Sequence, residues 1–257
     1  LIRNPSQGLR AIIIYPLNAL VNDQLEEWEQ ILKDYPQIRF ARFTGQTPAS
    51  QEDYVIRLKN KYEQQLQDQG FSQHELQREI ERRLVKALTI HIPSHRYHRE
   101  DIRQNPPQIL ITNFSMLEYL LERPIDAPIF ENARLNFLVL DEAHAYRGVQ
   151  ATEIAFLIRR IKDRLGIDKL TCIATSATLG KQGDEKSESK VRKFASELFG
   201  EVFNEPNPIY GTTAEPILNQ PSFQPTVDQY INAASTLRKD AQADIKPILG
   251  INIPENN

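Results

Sequence analysis

Cysteine is nearly absent from this 257-residue chain: Cys172 is the only one, and it lies in an apolar run. A lone thiol closes no internal disulfide, so a reducing cytosol is the compartment expected. Long hydrophobic runs are missing as well. None approaches the roughly 18 residues that cross a bilayer, no signal peptide opens the chain, and no membrane role is expected. Neither charge sign dominates, with 31 Lys and Arg against 34 Asp and Glu for a net −3. Proteins that coat nucleic acid are strongly basic, whereas a motor grips a strand through a few local contacts. The balance therefore neither favours nor excludes a nucleic-acid partner. Two further absences concern chemistry. No glycine takes part in a G-x-x-x-x-G-K-[ST] phosphate loop. His91, His95 and His98 stand close together but lack cysteine or carboxylate partners at metal-ligand spacing, which predicts solvated or phosphate-facing histidines.

What is present is an ordinary folded composition, 40% hydrophobic and 25% charged, on a chain long enough for one good core and a small second unit. Residues 11–15, 108–112, 137–140 and 171–175 are apolar runs, the pattern of strands buried on both faces of a parallel sheet. Residues 38–43 alternate apolar and charged positions and predict a less deeply buried strand. Leu17, Leu20, Val21, Leu25, Trp28, Ile31 and Leu32 recur at helical spacing after the first run, which makes Trp28 a core residue. Ile154, Leu157, Ile158, Ile161 and Leu165 repeat the pattern further on, with Gly166 placed to end that helix. Strands alternating with helices predict a βαβ sheet between helical layers, with its chemistry at the carboxyl ends of the strands.

Residues 46–105 interrupt the alternation. A capping box at Ser72 and Glu75 precedes an apolar stripe of Leu76, Ile80, Leu84 and Leu88, so a mostly helical insertion is expected. Arg78, Arg82, Arg83 and Lys86, with Arg96, Arg99 and Arg103 nearby, suggest a basic face, which Glu75, Glu79 and Glu81 dilute into a salt-bridged surface. Arg159, Arg160, Lys162 and Arg164 are read the same way. Past residue 200, prolines at 206, 208, 216, 221 and 225 predict a poorly regular linker. Val227, Tyr230, Ile231, Ala234 and Leu237 then mark an amphipathic helix. The start at Leu1 rather than Met suggests an excerpt of a longer chain.

The sharpest chemical signal is Phe137-Leu-Val-Leu-Asp141-Glu142-Ala143-His144, an apolar strand ending in two consecutive carboxylates. Two acids past a buried strand are costly unless something positive meets them, and Mg²⁺ with a nucleotide phosphate is the common answer. Asp141 would then hold the metal through water and Glu142 polarise the attacking water. The alternative is that either acid simply caps the turn that follows. A second strand ends in Thr175-Ser176-Ala177-Thr178, whose hydroxyls suit either hydrogen bonds to His144 and the acids or a Ser/Thr turn.

Together these segments resemble the first RecA-like domain of superfamily 2 DEAH-box helicases over roughly residues 10–200. Asp141-Glu142-Ala143-His144 matches the family's Walker B motif and Ser176-Ala177-Thr178 its motif III. Tyr15-Pro16-Leu17-Asn18 opens motif Ia, Thr44-Gly45 matches the short element after the next strand, and Thr112-Asn113 the motif Ib region. The wording "YPLNALVNDQ", "ILITNFSMLEYLL" and "VLDEAHAYRG" is similar to bacterial YprA-like and Lhr-like DNA helicases, which act in DNA repair or phage defence. The resemblance implies an α/β three-layer RecA-like domain with a mostly parallel sheet, incomplete at its N-terminus and truncated after its phosphate loop. It divides the chain into a partial ATP-binding domain, 1–200, carrying the helical insertion, and a tail, 201–257, toward a second RecA-like domain.

It further implies ATP and Mg²⁺ as cofactors, with Asp141, Glu142 and His144 catalytic. Ser176, Ala177 and Thr178 would couple hydrolysis to movement. Tyr15, Pro16, Leu17, Asn18, Thr44, Gly45, Thr112 and Asn113 would hold the phosphates of a nucleic-acid strand, DNA in the resembled group, with 3′–5′ polarity. Lacking the loop, these residues alone are expected to be inactive. Two alternatives stay open: a non-catalytic nucleic-acid-binding or assembly subunit, and an RNA helicase, since backbone contacts do not report the 2′-hydroxyl.

Overall fold

The computed structural model describes residues 8–67, 72–89, 92–176, 184–203, 208–210 and 226–239. Strand β1 (Ala11–Tyr15) leads through helix α1 (Asn18–Leu32) to β2 (Phe40–Phe43). The helices α2 (Gln51–Gln67) and α3 (Gln73–Thr89) follow, then the two-residue β3 (His95–Arg96) and α4 (Arg99–Gln104). β4 (Ile109–Asn113), α5 (Phe114–Glu122) and α6 (Pro128–Glu131) lead to β5 (Phe137–Leu140). After it come α7 (Val149–Leu165), β6 (Thr171–Ala174), α8 (Glu185–Phe199) and α9 (Val227–Lys239). Residues 210–257 form a unit separate from 1–209, and of it α9 is described by itself.

The six strands make one sheet in the order β3-β2-β4-β1-β5-β6, with every pairing parallel. β1 has no charged side chain and three consecutive isoleucines, so it is stable only with both faces covered. Every residue of it is buried. Successive side chains leave a strand on opposite faces. Ile12 and Ile14 accordingly join Leu110, Leu138 and Leu140 in a core beneath α5, α6, α7 and α8. Ala11, Ile13 and Tyr15 join Ile109 and Ile111 in a second core beneath α1, to which Val21, Leu25, Trp28 and Leu32 contribute. These three layers, helices on both faces of a parallel sheet, are the α/β arrangement expected.

Three burial expectations are corrected. The run 171–175 is not buried on both faces: β6 is mostly exposed, because among the described residues it pairs only with β5 and α7 and α8 cover only its Cys172 side. On its other face Ile173 is 44% exposed, and Phe137 on β5 is 39% exposed. The run 38–43 errs the other way. β2 lies between β3 and β4, three of its four residues are buried, and the charge of Arg42 is met by the side-chain oxygen of Asn22. Within the α1 stripe, Leu17 and Ile31 are exposed. Leu17 precedes the helix, and Ile31 sits about 100° around it from Leu32.

Helices α2 and α3 share a small core of their own, Leu66, Leu76 and Ile80. The Ser72 N–H and hydroxyl both reach Glu75 Oε2, the capping box expected. Gly166 ends α7 at φ 60°, a left-handed conformation that favours glycine. Of the prolines predicted to make a linker, 206, 216, 221 and 225 lie outside the described residues.

Candidate functional site

Parallel pairing puts the carboxyl ends of β1, β4, β5 and β6 on one edge of the sheet. The helix after β1 packs on one face and those after β4 and β5 on the other, so the layers part between β1 and β4. Ligands of open α/β sheets bind in such a crevice.

At the β5–β6 end, Asp141 N donates to Ile14 O at 2.9 Å, and the Thr175 hydroxyl is hydrogen-bonded to Asp141 Oδ1. The same hydroxyl oxygen accepts from Glu142 N at 3.1 Å, while Ala143 N donates to Thr175 O at 2.8 Å. Thr175 thus ties the turn after β5 to the end of β6. Glu142 has φ 49° and ψ 48°, the one left-handed non-glycine among the described residues. A side chain in that region costs roughly 1–2 kcal/mol, and such strain collects where function needs a fixed geometry. His144 Nδ1 lies 2.9 Å from Glu142 Oε2 and 3.1 Å from Ser176 Oγ. The first contact lacks hydrogen-bond alignment, since Glu142 Oε2 is buried with no hydrogen-bond partner. His144 is the hub between acid and hydroxyl. Arg147 Nε donates to His144 O at 3.0 Å and steadies the turn. Tyr146 is buried beneath it, and burial, then the nearby Asp141 charge, raises its phenol well above the ordinary range. Ala177 and Thr178 lie outside the described residues.

The other end is built differently. Asn113 caps α5, its Oδ1 accepting from Met116 N at 2.8 Å, and its Nδ2 donates to Asn18 Oδ1 at 2.6 Å. The amide pair bridges the starts of α1 and α5 across the parting of the layers. Thr112 is fully buried and its hydroxyl donates to Phe43 O at 2.7 Å; Thr44 is 1% exposed, and its hydroxyl oxygen accepts from Gln46 N at 3.2 Å. Tyr15 is buried too, its phenol raised by desolvation despite a hydrogen bond with Trp28. Pro16 is half-buried, and Leu17 and Gly45 are exposed.

Thr175 takes the place expected of the hydroxyl cluster at the end of its strand, beside the acids. Sequence reasoning missed two contributors. Arg99, read as surface, donates through Nη2 to Thr44 O at 3.0 Å and lies 3.4 Å from Gly45 O. His98 caps α4 by accepting from Asp101 N at 3.3 Å, a role its place before an acidic first turn signalled. Its neighbour His95 is buried against Glu29 Oε1 at 2.7 Å. No metal-holding cluster of histidines, cysteines and acids occurs among the described residues.

The DEAD/DEAH box helicase family model matches residues 71–185. The chain is similar to the Druantia protein DruE of Escherichia coli (strain UMEA 4076-1), 33% identical over 256 residues. That match covers 75% of this chain and 14% of DruE, so the chain spans a small part of its relative. Two crystal structures of the DUF1998 helicase MrfA are also similar. The one bound to DNA is 25% identical with TM-score 0.45, covering 76% of this chain and 19% of that one. The one bound to DNA and AMPPNP is 24% identical with TM-score 0.43, covering 76% and 20%.

Proposed function

We propose that this chain, which the DEAD/DEAH box helicase model matches over residues 71–185, is the part of an ATP-dependent DNA helicase or translocase that activates water and grips one strand. The observation that supports this best is the network at the end of β5. Asp141, Glu142, His144, Thr175 and Ser176 are joined there within hydrogen-bonding or ionic reach on the ligand-binding edge of the sheet.

The residues fit Mg²⁺ held through water. Asp141 spends one carboxylate oxygen on Thr175, and its other oxygen takes no hydrogen bond from a described residue. An ion held by one carboxylate and completed by water and substrate phosphates is the habit of Mg²⁺, and when bound it would neutralise charge on the phosphates. Glu142, fixed by its left-handed backbone, accepts the proton of the attacking water. His144 senses that change through Oε2 and passes it to Ser176 and onward to Thr178. Asn18, Asn113 and the backbone at Pro16, Leu17 and Gly45 hold successive phosphates of one strand without reading bases. Movement 3′–5′ and duty in DNA repair or phage defence complete the reading. The chain contains no phosphate loop of the G-x-x-x-x-G-K-[ST] form, and alone it is expected not to hydrolyse ATP.

The test is ATP hydrolysis by the intact protein without nucleic acid, with single-stranded DNA and with RNA, beside Glu142→Gln. DNA-stimulated turnover that the variant loses supports the motor. RNA as the better activator moves the substrate to RNA. Strand binding without turnover under any condition leaves a non-catalytic binding subunit.

A further inference from the structure

Four arginines gather around the turn that follows β2, none of them among the strand contacts proposed above. Arg99 holds the carbonyls of Thr44 and Gly45, and its guanidinium carbon lies 5.3 Å from the centre of the Phe43 ring. The guanidinium of Arg103 lies 6.0 Å from the same centre. Arg57 Nη1 donates to Gln46 O at 2.9 Å. Arg123 joins through the fully buried Asp126, which meets Arg103 Nε at 2.8 Å and Arg123 Nε at 3.3 Å.

The charges do not balance. Asp126 serves Arg103 and Arg123, and Asp53 serves Arg57 at 3.0 Å. Arg99 has no carboxylate within ion-pair distance among the described residues, and its Nε is buried without a hydrogen-bond partner. Four positive charges against two negative leave a surplus of two. Burial, followed by the charges of Arg123 and Arg103, holds Arg99 below the usual guanidinium range. Like charges fixed this close oppose folding, and an anion among them removes the opposition. The surplus lies on the carboxyl edge of the sheet, beside Gly45 and one strand from Asn113, where β2 and β4 are tied by the Thr112 hydroxyl. A planar guanidinium with free N–H groups suits phosphate oxygens in particular.

We propose that Arg99, with Arg57 and Arg103 beside it, binds a further phosphate of the same nucleic-acid strand. This inference rests on reading the Asn18–Asn113–Gly45 edge as a strand track, and it extends that track past Gly45 toward α2. The insertion thereby becomes part of the grip rather than a decoration of the fold.

Binding of a fluorescein-labelled single-stranded DNA to the intact protein, across a salt series, tests it. Wild type is compared with Arg99→Gln and Arg99→Lys, each checked for folding by thermal unfolding. Arg99→Gln is expected to bind several-fold more weakly and to flatten the dependence of log K on log salt by about 0.7, one single-strand phosphate contact. Arg99→Lys keeps the slope. Equal slopes and affinities for wild type and a folded Arg99→Gln overturn the site and leave the strand track standing. No DNA binding by wild type overturns both. Equal slopes, combined with inorganic phosphate raising the unfolding temperature of wild type and not of Arg99→Gln, mark a free-anion site and also overturn the proposal. Should Arg99→Gln not fold, the exposed Arg57→Gln takes its place with the same expected loss of slope.

Discussion

The two ends of the sheet's carboxyl edge solve different problems with different groups. At the β5–β6 end, half-buried titratable side chains meet one another: acid, imidazole and hydroxyls within about a hydrogen bond's reach. At the β2–β4–β1 end the hydroxyls are spent on the fold, Thr112 on Phe43 O and Thr44 on Gln46 N. What remains free there is amide, exposed backbone and guanidinium. Chemistry that changes protonation needs side chains that can move charge. A grip that must hold any sequence needs rigid donors over a rigid core. The burial of β1 and β4 on both faces supplies that rigidity, whereas β6 at the open edge shares only one face with the core.

The comparison breaks most visibly if the acid end is not where turnover resides. Glu142→Gln is expected to lower nucleic-acid-stimulated ATP hydrolysis of the intact protein by about 10²–10⁴, the usual worth of a general base, with DNA affinity unchanged. Asn113→Ala should do the opposite, weakening strand binding far more than it slows the bound enzyme. Steady-state rates at saturating DNA, beside binding curves, separate the two.

The mechanical half of the contrast is sharpened by two isoleucines. Ile111, fully buried on β4, should cost about 3–4 kcal/mol when cut to alanine, because a cavity opens between two layers. Ile173, 44% exposed on β6, should cost about 0.5 kcal/mol. Urea unfolding midpoints measure both. Equal costs would mean that β6 is as deeply packed in solution as β4. Next in size, Thr112→Val should lose about 1–2 kcal/mol by leaving Phe43 O without its donor. The salt dependence of DNA binding should not move if that hydroxyl stays with Phe43 O.

These residues also show what could be read without coordinates. Runs at 11–15 and 137–140 are observed at those bounds, and Gly166 and the Ser72–Glu75 box stand where local chemistry puts them. Such features depend on neighbours in sequence. What escaped depends on partners far along the chain. An apolar tetrad reads alike whether it has one neighbouring strand or two, so the exposure of β6 and the burial of β2 were not legible. Nothing local places β4 between β2 and β1, and only that placement brings Asn113 to Asn18 and Thr112 to Phe43. Helix α8 was missed because its charged residues mask a stripe of Ala195, Leu198 and Phe199. Arg99 entered the site only when the ends of separate strands were brought together.

The smallest effect expected tests the strain itself. Glu142 is held at φ 49°, where a long side chain is unfavourable and asparagine is tolerated through local hydrogen bonding. Glu142→Asn should therefore raise stability by about 0.5–1 kcal/mol, less whatever the contact with His144 contributes. That contact is 2.9 Å long but lacks hydrogen-bond alignment, so it offsets little. A protein stabilised by this change, with turnover lost, would show that the backbone is bent to aim a carboxylate. A variant less stable than wild type would show instead that the acid holds the turn together, and the left-handed residue would then be a structural corner rather than a sign of catalysis. Differential scanning fluorimetry on wild type and variant, run beside the hydrolysis assay, decides between them.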